Sequence, residues 1–284
     1  MRSLSLNVER TAKTVLLYGP VGVGKTTSLA TAPQPIQIIC PEPRDPRQVL
    51  QNAIRAGIDL DLVVPEQGTL VEVYRYALET EQQAIAGTYR FKTLCLDGAS
   101  FLHNILQRNL EDSINDENKA KASQVKDEIE RILATPQLHD IGNIGYAGWN
   151  VMGTLMTRFM ACLNRISYQG VNIIVTAWIG ENPRKGASEQ EVPMFFGKYF
   201  HERFPGMFDF IGRMFPGIRN ENYPTGYPPF VSFKLLTPDQ AVAILGQTYF
   251  PQYMCKAANP NMIEKELQRL DSWTRIFDLA DGKE

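Results

Sequence analysis

Apolar residues in the first hundred positions fall into short runs separated by stretches of helical spacing, and the two kinds of segment alternate. Thr14–Tyr18 is an apolar run that predicts a strand, followed by a glycine-rich turn and a mixed stretch, Thr26–Ala32, closed by Pro33 and Pro35. Ile36–Cys40 is rich in isoleucine and predicts a second buried strand. Arg47–Ala56 reads as a helix with Gly57 as its C-cap, and Leu60–Val64 as a strand. Leu70, Val73, Tyr74, Ala77 and Leu78 keep helical spacing in a segment that reaches Ile85 and ends at Gly87. Phe91–Leu96 is a strand closed by Asp97 and Gly98. Strands alternating with helices predict an α/β fold with a mainly parallel, three-layer sheet.

The pattern then loosens. Residues 107–145 form a charged helical insertion, with Gln124–Leu133 as one amphipathic helix and Pro136–Gly148 as loop. Asn150–Tyr168 predicts a long helix feeding the most apolar strand of the chain, Val171–Thr176. Glu181–Pro193 is polar and reads as a mobile loop, Phe208–Met214 and Phe230–Leu235 as late edge strands. Asn261–Leu279 has the pattern of a closing amphipathic helix, so that 259–284 forms a C-terminal helical segment. All 284 residues are expected to form a single domain.

One motif decides the class. Gly19-Pro20-Val21-Gly22-Val23-Gly24-Lys25-Thr26 fits the phosphate-loop pattern at every fixed position, with a strand before it and a helix after. The glycines let backbone N–H groups turn inward on phosphates, and the helix start adds its positive end. Lys25 would reach the terminal phosphates, Thr26 would place its hydroxyl on Mg²⁺, and Thr27 continues the nucleotide-binding segment. Asp97, at the tip of an apolar strand, is the acidic partner for the metal. Glu42 follows the second strand at the sheet edge where ligands bind in open α/β folds, and is the candidate catalytic base, with Asp45 as its competitor. Thr176 ends the Val171 strand and is a candidate sensor of the γ-phosphate.

Composition narrows the partners. The net charge of −2 excludes a uniformly cationic nucleic-acid glove but leaves room for a local basic groove. Cys40, Cys95, Cys162 and Cys255 are widely spaced without CxxC pairs, so neither a disulfide framework nor a thiolate zinc site is expected. The longest apolar run is broken by Asn172 and Thr176 and is too short to span a bilayer. A cytoplasmic protein with no membrane partner is the expectation.

These residues resemble a known group, the phage RecA-like P-loop ATPases that include single-strand-annealing recombination proteins. The resemblance runs from about Lys13 to about Pro216. It rests on Leu16-Leu17-Tyr18-Gly19-Pro20 leading into Gly24-Lys25-Thr26-Thr27, on Phe91 to Asp97, and on Tyr146 and Trp149 before the long helix. Asn172 to Ala177 and Pro193 to Gly197 ahead of Phe208-Asp209 complete it. It implies a RecA-like P-loop NTPase core, ATP and Mg²⁺ as cofactors, Lys25, Glu42 and Asp97 as catalytic groups, and homo-oligomers with ATP at subunit interfaces. It also implies contact with single-stranded DNA, in a host cell's cytoplasm if the chain is phage-encoded, and single-strand-binding or replication proteins as further partners. Arg184 and Lys185 would then hold DNA phosphates, while Phe195, Phe196, Tyr199 and Phe200 would stack on bases or, alternatively, pack under the sheet. Lys198, Arg203, Arg213 and Arg219 are unranked candidates for a trans-acting finger. The chain departs from the family in carrying Trp178 two positions after Thr176, a place where a polar residue or histidine is usual; core or interface packing is its expected role. The competing functions are a helicase loader or ring-type motor acting through protein partners, a small-molecule phosphotransferase, and a nucleotide-dependent scaffold with little turnover.

Overall fold

Along Thr14–Gly19 (β1), Leu16 and Tyr18 face one side of the sheet while Val15 and Leu17 face the other, and all four are buried. That two-sided burial is what a central strand of a parallel sheet requires. In the computed structural model, residues 12–66, 69–102, 104–105, 145–183, 188–195, 204–220, 223–227, 229–236, 239, 241–242, 252–257, 268–269 and 272–281 are described. In chain order the elements are β1, α1 (Lys25–Leu29), β2 (Ile36–Ile39), α2 (Arg47–Arg55), β3 (Leu60–Val63), α3 (Leu70–Ile85) and β4 (Thr93–Asp97). They continue as α4 (Gly145–Ser167), β5 (Asn172–Glu181), β6 (Glu191–Pro193), β7 (Phe210–Phe215), β8 (Ile218–Asn220) and β9 (Tyr223–Tyr227). The last are β10 (Phe230–Ser232), β11 (Lys256–Ala257), β12 (Gln268–Arg269) and α5 (Trp273–Ala280).

The main sheet runs in the order β12-β10-β7-β1-β5-β4-β2-β3, with β11 added to β7 and β6 to β5. From β3 to β7 every pairing along this path is parallel, and β10, β12, β11 and β6 pair antiparallel, so the sheet is mixed but mostly parallel. Helices α3 and α4 cover one face, where Val73, Ala77, Met156, Phe159 and Leu163 meet Leu16, Leu94 and Val175. Helices α1, α2 and α5 cover the other, where Leu29, Leu50, Trp273 and Ile276 meet Val15, Ile38 and Ile174. The three-layer α/β architecture expected from the alternating pattern is therefore the observed one. No helix among the described residues is long and apolar enough to cross a membrane.

Four expectations need correction. Helix α4 starts at Gly145, inside the stretch read as loop. Burial of its Met152–Ile166 stripe against α3 outweighs the low helix propensity of Gly145, Gly148 and Gly153. Glu181–Pro193 is no simple loop, because β5 runs on to Glu181 and pairs with β6 as a hairpin. Neither β7 nor β10 is an edge strand: β7 lies between β1 and β10, and β10 lies between β7 and β12. The β7 burial on both faces, including Gly212 beneath Val231 and Phe233, is the physical reason. The closing helix is short, Trp273–Ala280, and is preceded by β12. Its start is set by Ser272, whose hydroxyl accepts from the Arg275 N–H as a cap. The expected helix Gln124–Leu133 lies outside the described residues.

Candidate functional site

Because β1, β5, β4 and β2 are parallel, their C-terminal ends open on one edge. Register then aligns the chemistry: Gly19 pairs with Trp178 across β1 and β5, and Asp97 pairs with Thr176 across β4 and β5. The loops leaving these ends enclose a pocket of about 160 Å³ whose lining includes Gly24, Lys25, Thr26, Glu42, Asp97 and Thr176. Crevices at the carboxyl ends of parallel strands are where open α/β sheets bind ligands.

The phosphate loop has the shape its glycines predict. Gly22 and Gly24 hold φ of 79° and 97°, conformations that a side chain would strain. A Cβ on Gly22 would meet nothing within 4 Å, and one on Gly24 only a methyl of Met214, so the loop arches over open space. Val23 is buried beneath it in the core, while Val21 stands 84% exposed at its crest. Lys25 folds back across the arch, its Nζ donating to the carbonyls of Gly19 and Pro20 at 2.8 Å each. Burial draws its pKa down to about 8, against the opposing pull of the Asp97 and Glu42 carboxylates.

Asp97 is 2% exposed and its carboxylate is fully engaged. Oδ1 accepts from the Thr176 hydroxyl at 2.7 Å, and Oδ2 accepts from the Thr26 hydroxyl at 2.7 Å and from Arg44 Nη2 at 2.9 Å. Thr176 in turn accepts from the Gly98 N–H at 2.9 Å, so its hydroxyl proton is committed to positioning Asp97. Gly98 has φ of 109°, and a Cβ there would lie 2.8 Å from Glu42 Oε1. The missing side chain lets Glu42 settle over the end of β4.

Glu42 takes the place between Arg44 and Trp178. Arg44 Nε meets its Oε2 at 2.6 Å, and the nearby Trp178 side chain favours the ionised form of the same carboxylate. Burial raises the Glu42 pKa above its ordinary value, with the Arg44 charge opposing, which favours a group that accepts protons. Asp45, its competitor, points to solvent and is held by Arg47, with Nε and Nη2 both at 2.9 Å. Trp178, expected in the core or at an interface, is half-buried and lines the pocket.

Arg44 is the functional residue that sequence reasoning passed over. Besides Asp97 and Glu42, its Nη2 donates to the Thr26 hydroxyl at 2.8 Å. Its sequence signal was a basic residue two positions after the candidate base in Pro41-Glu42-Pro43-Arg44. Other expected residues fall elsewhere. Phe195 is buried and packs on Phe204 with ring centroids 4.4 Å apart, which withdraws it from base stacking. Arg213 is 5% exposed and bound to Glu191 at 2.8 Å, so it cannot reach a neighbouring subunit as a finger. Arg184, Lys185, Phe196, Lys198, Tyr199, Phe200 and Arg203 lie outside the described residues, and the side chain of Arg219 is likewise outside them.

The residues fit a magnesium nucleotide. A glycine-rich loop and a half-buried lysine suit phosphate oxygens, while a threonine hydroxyl against a buried carboxylate is a sparse donor set that phosphate and water must complete. Among the described residues no group of three or more His, Cys, Asp and Glu side chains could hold a metal alone. A family model described as an AAA domain matches residues 11–222. No curated protein matches the chain. Among solved structures, a KaiC-like protein of the hyperthermophilic archaeon Pyrococcus horikoshii is similar at 14% identity, over 78% of this chain and 77% of that one, with a TM-score of 0.38.

Proposed function

The chain belongs to the AAA domain family of P-loop ATPases, and on that premise we propose that it hydrolyses ATP in this pocket and uses the nucleotide to govern a grip on single-stranded DNA during recombination or strand annealing. The observation that carries the hydrolytic part is the convergence of Lys25, Thr26, Asp97 and Glu42 on one pocket at the carboxyl edge of the sheet. Lys25 would hold the terminal phosphates, Thr26 and Asp97 would hold the metal, and Glu42 would accept the proton of the attacking water. Bound Mg²⁺ supplies charge neutralisation on the phosphates.

The DNA part is supported by a connection out of the site. Ser100, three residues past Asp97, accepts from the Trp178 N–H at 2.9 Å and donates to the Met194 carbonyl at 2.7 Å. The end of β4 is thereby tied to both strands of the β5–β6 hairpin, between which the sequence carries Arg184 and Lys185. A nucleotide that moves Asp97 or Trp178 moves that hairpin's base.

ATP turnover with and without single-stranded DNA, with Lys25→Ala as the blank, tests this reading. Turnover that rises with DNA and vanishes in the blank supports it. Turnover indifferent to DNA at low salt sinks the DNA part and turns the search to a protein partner, as a helicase loader or ring motor would need. A blank as active as the wild type sinks the hydrolytic part too.

A further inference from the structure

Arg44 occupies the pocket in a way the proposed reaction does not use. One nitrogen, Nη2, lies within hydrogen-bond reach of two oxygens at once, Thr26 Oγ1 at 2.8 Å and Asp97 Oδ2 at 2.9 Å. These are the two protein oxygens that suit the metal of a magnesium nucleotide. The other end of the same guanidinium, Nε, holds Glu42 Oε2 at 2.6 Å. A rigid planar fork therefore links the metal-binding oxygens to the candidate base, something a point-charge ammonium could not span. The Arg44 side chain is 41% exposed, and its backbone lies in the proline-flanked loop between β2 and α2, so solvent is open to it once it lets go.

We propose that Arg44 is a built-in stand-in cation: it neutralises Asp97 and tethers Glu42 when the metal is away, and must be displaced by Mg²⁺ before the site can work. The inference rests on the reading of the pocket as a magnesium-nucleotide site. Its logic is competition. A guanidinium nitrogen bonded to both oxygens fills the place between them, and its charge repels a dication approaching the same point. Metal arrival frees both ends of the fork together, so Glu42 is released only when the metal has come. Arg44 is thus a positioning residue that couples metal occupancy to the base. It also answers a stability problem, because Asp97 is nearly fully buried and Arg44 is the cation bonded directly to its carboxylate.

The decisive measurement is metal affinity. The full-length chain saturated with ADP is titrated with Mn²⁺, and free metal is counted by electron paramagnetic resonance, for wild type, Arg44→Ala and Arg44→Lys. Arg44→Ala should bind Mn²⁺ roughly tenfold more tightly, the gain expected when the competent form had been about a tenth of the population. Arg44→Lys, which keeps the charge but not the fork, should also bind more tightly than wild type, by a smaller factor. Thermal melting in a chelator gives a second reading: Arg44→Ala should melt below wild type, and added Mn²⁺ with ADP should raise its Tm by more than it raises that of wild type. Equal or weaker Mn²⁺ binding by Arg44→Ala overturns the proposal, and so does an Arg44→Lys affinity identical to wild type, which would reduce the effect to charge alone. ADP binding in chelator is the control on the underlying reading. If wild type and variants all fail to bind ADP, the nucleotide site itself is wrong and the stand-in role falls with it; if ADP binds and only the Mn²⁺ comparison fails, the stand-in role alone is lost.

Discussion

Among the described residues, two arginine–glutamate pairs lie near the same sheet edge, and they are built for opposite ends. Arg213 on β7 meets Glu191 on β6 at 2.8 Å, lies 3.9 Å over the Phe215 ring and 6.0 Å from that of Tyr253, and is 5% exposed. Burial also pushes the phenol of Tyr18, beside this pair, far above its ordinary pKa, and its hydroxyl donates to the Met254 carbonyl at 2.7 Å. The arginine is walled in by aromatic rings, and the pair joins β7 to the β5–β6 hairpin. Arg44 and Glu42 are as close to one another, but Arg44 has no comparable wall and its side chain is 41% exposed. One pair is fastened by packing and the other only by the polar groups of the pocket. An ion pair is a structural bolt or a replaceable occupant according to what surrounds it, not according to its own length.

The largest expected effect falls on the pocket side. Glu42→Gln keeps the shape of the side chain and removes its ability to take a proton, so ATP turnover should drop by about 10²- to 10⁴-fold with nucleotide affinity held within a few-fold. Single-turnover hydrolysis beside equilibrium ATP binding checks this. A variant that hydrolyses at the wild-type rate would hand the base to some other group and undo half of the comparison.

On the packed side the loss should appear in stability. Arg213→Ala removes the cation from a mostly buried pair and leaves Glu191 to an aromatic neighbourhood, at a cost of roughly 3 kcal/mol. Urea unfolding should show a lower midpoint. Arg44→Ala should lose no more than about 1 kcal/mol, since water can reach its place. Equal losses for the two variants would erase the distinction drawn between them.

That distinction was only half legible in the sequence. The phosphate loop, the β4 aspartate and the alternation of strands with helices could be read because each is local: a glycine spacing, an apolar run with an acid at its tip, a change of period. Glu42 could be placed at the sheet edge for the same reason. Arg44 could not, because its role depends on folding back over its own loop to reach Thr26 and Asp97, contacts separated by 18 and 53 positions. Arg213 looked like a free cation in sequence because nothing local announces that Glu191, Phe215 and Tyr253 close around it. Trp178 reads as core or interface from its apolar strand, and only its register with Gly19 reveals that it lines the pocket. The strands β7 and β10 resembled edges for being late and short, yet strand order in a sheet is set by crossover connections that no local pattern carries.

Acidity gives a third, smaller test, centred on Lys25. Its pKa is lowered to about 8, so below that pH the lysine is charged in both the folded and the unfolded chain. Between about 8 and the ordinary lysine value of 10.5 the unfolded chain keeps a proton that the folded chain has released, so this group's contribution to stability improves as pH rises. Nucleotide binding has the opposite trend. Phosphate oxygens favour the charged lysine, and above pH 8 binding must draw in a proton, so ADP affinity should fall by up to about tenfold per pH unit there. Calorimetry from pH 7 to 9.5 in buffers of different ionisation heat would show both the fall and the proton uptake. Flat affinity with no proton uptake would mean that Lys25 does not meet the phosphates.

Trp178→Phe is the mildest change and the most specific. An aromatic ring is kept at the pocket, while the indole N–H that favours the ionised Glu42 carboxylate is removed. Trp178 is half-buried, so stability should hardly move. Without that N–H the ionised carboxylate is less favoured, so the Glu42 pKa should rise further and carry the acid limb of the turnover profile to higher pH. Turnover at neutral pH should fall by a few-fold and recover as pH rises, until the Lys25 effect on binding intervenes. An unshifted acid limb with a uniformly lowered rate would instead place Trp178 in contact with nucleotide rather than with the base. In that case the tether on Glu42 would be Arg44 alone, and the replaceable pair would control the base without help from β5.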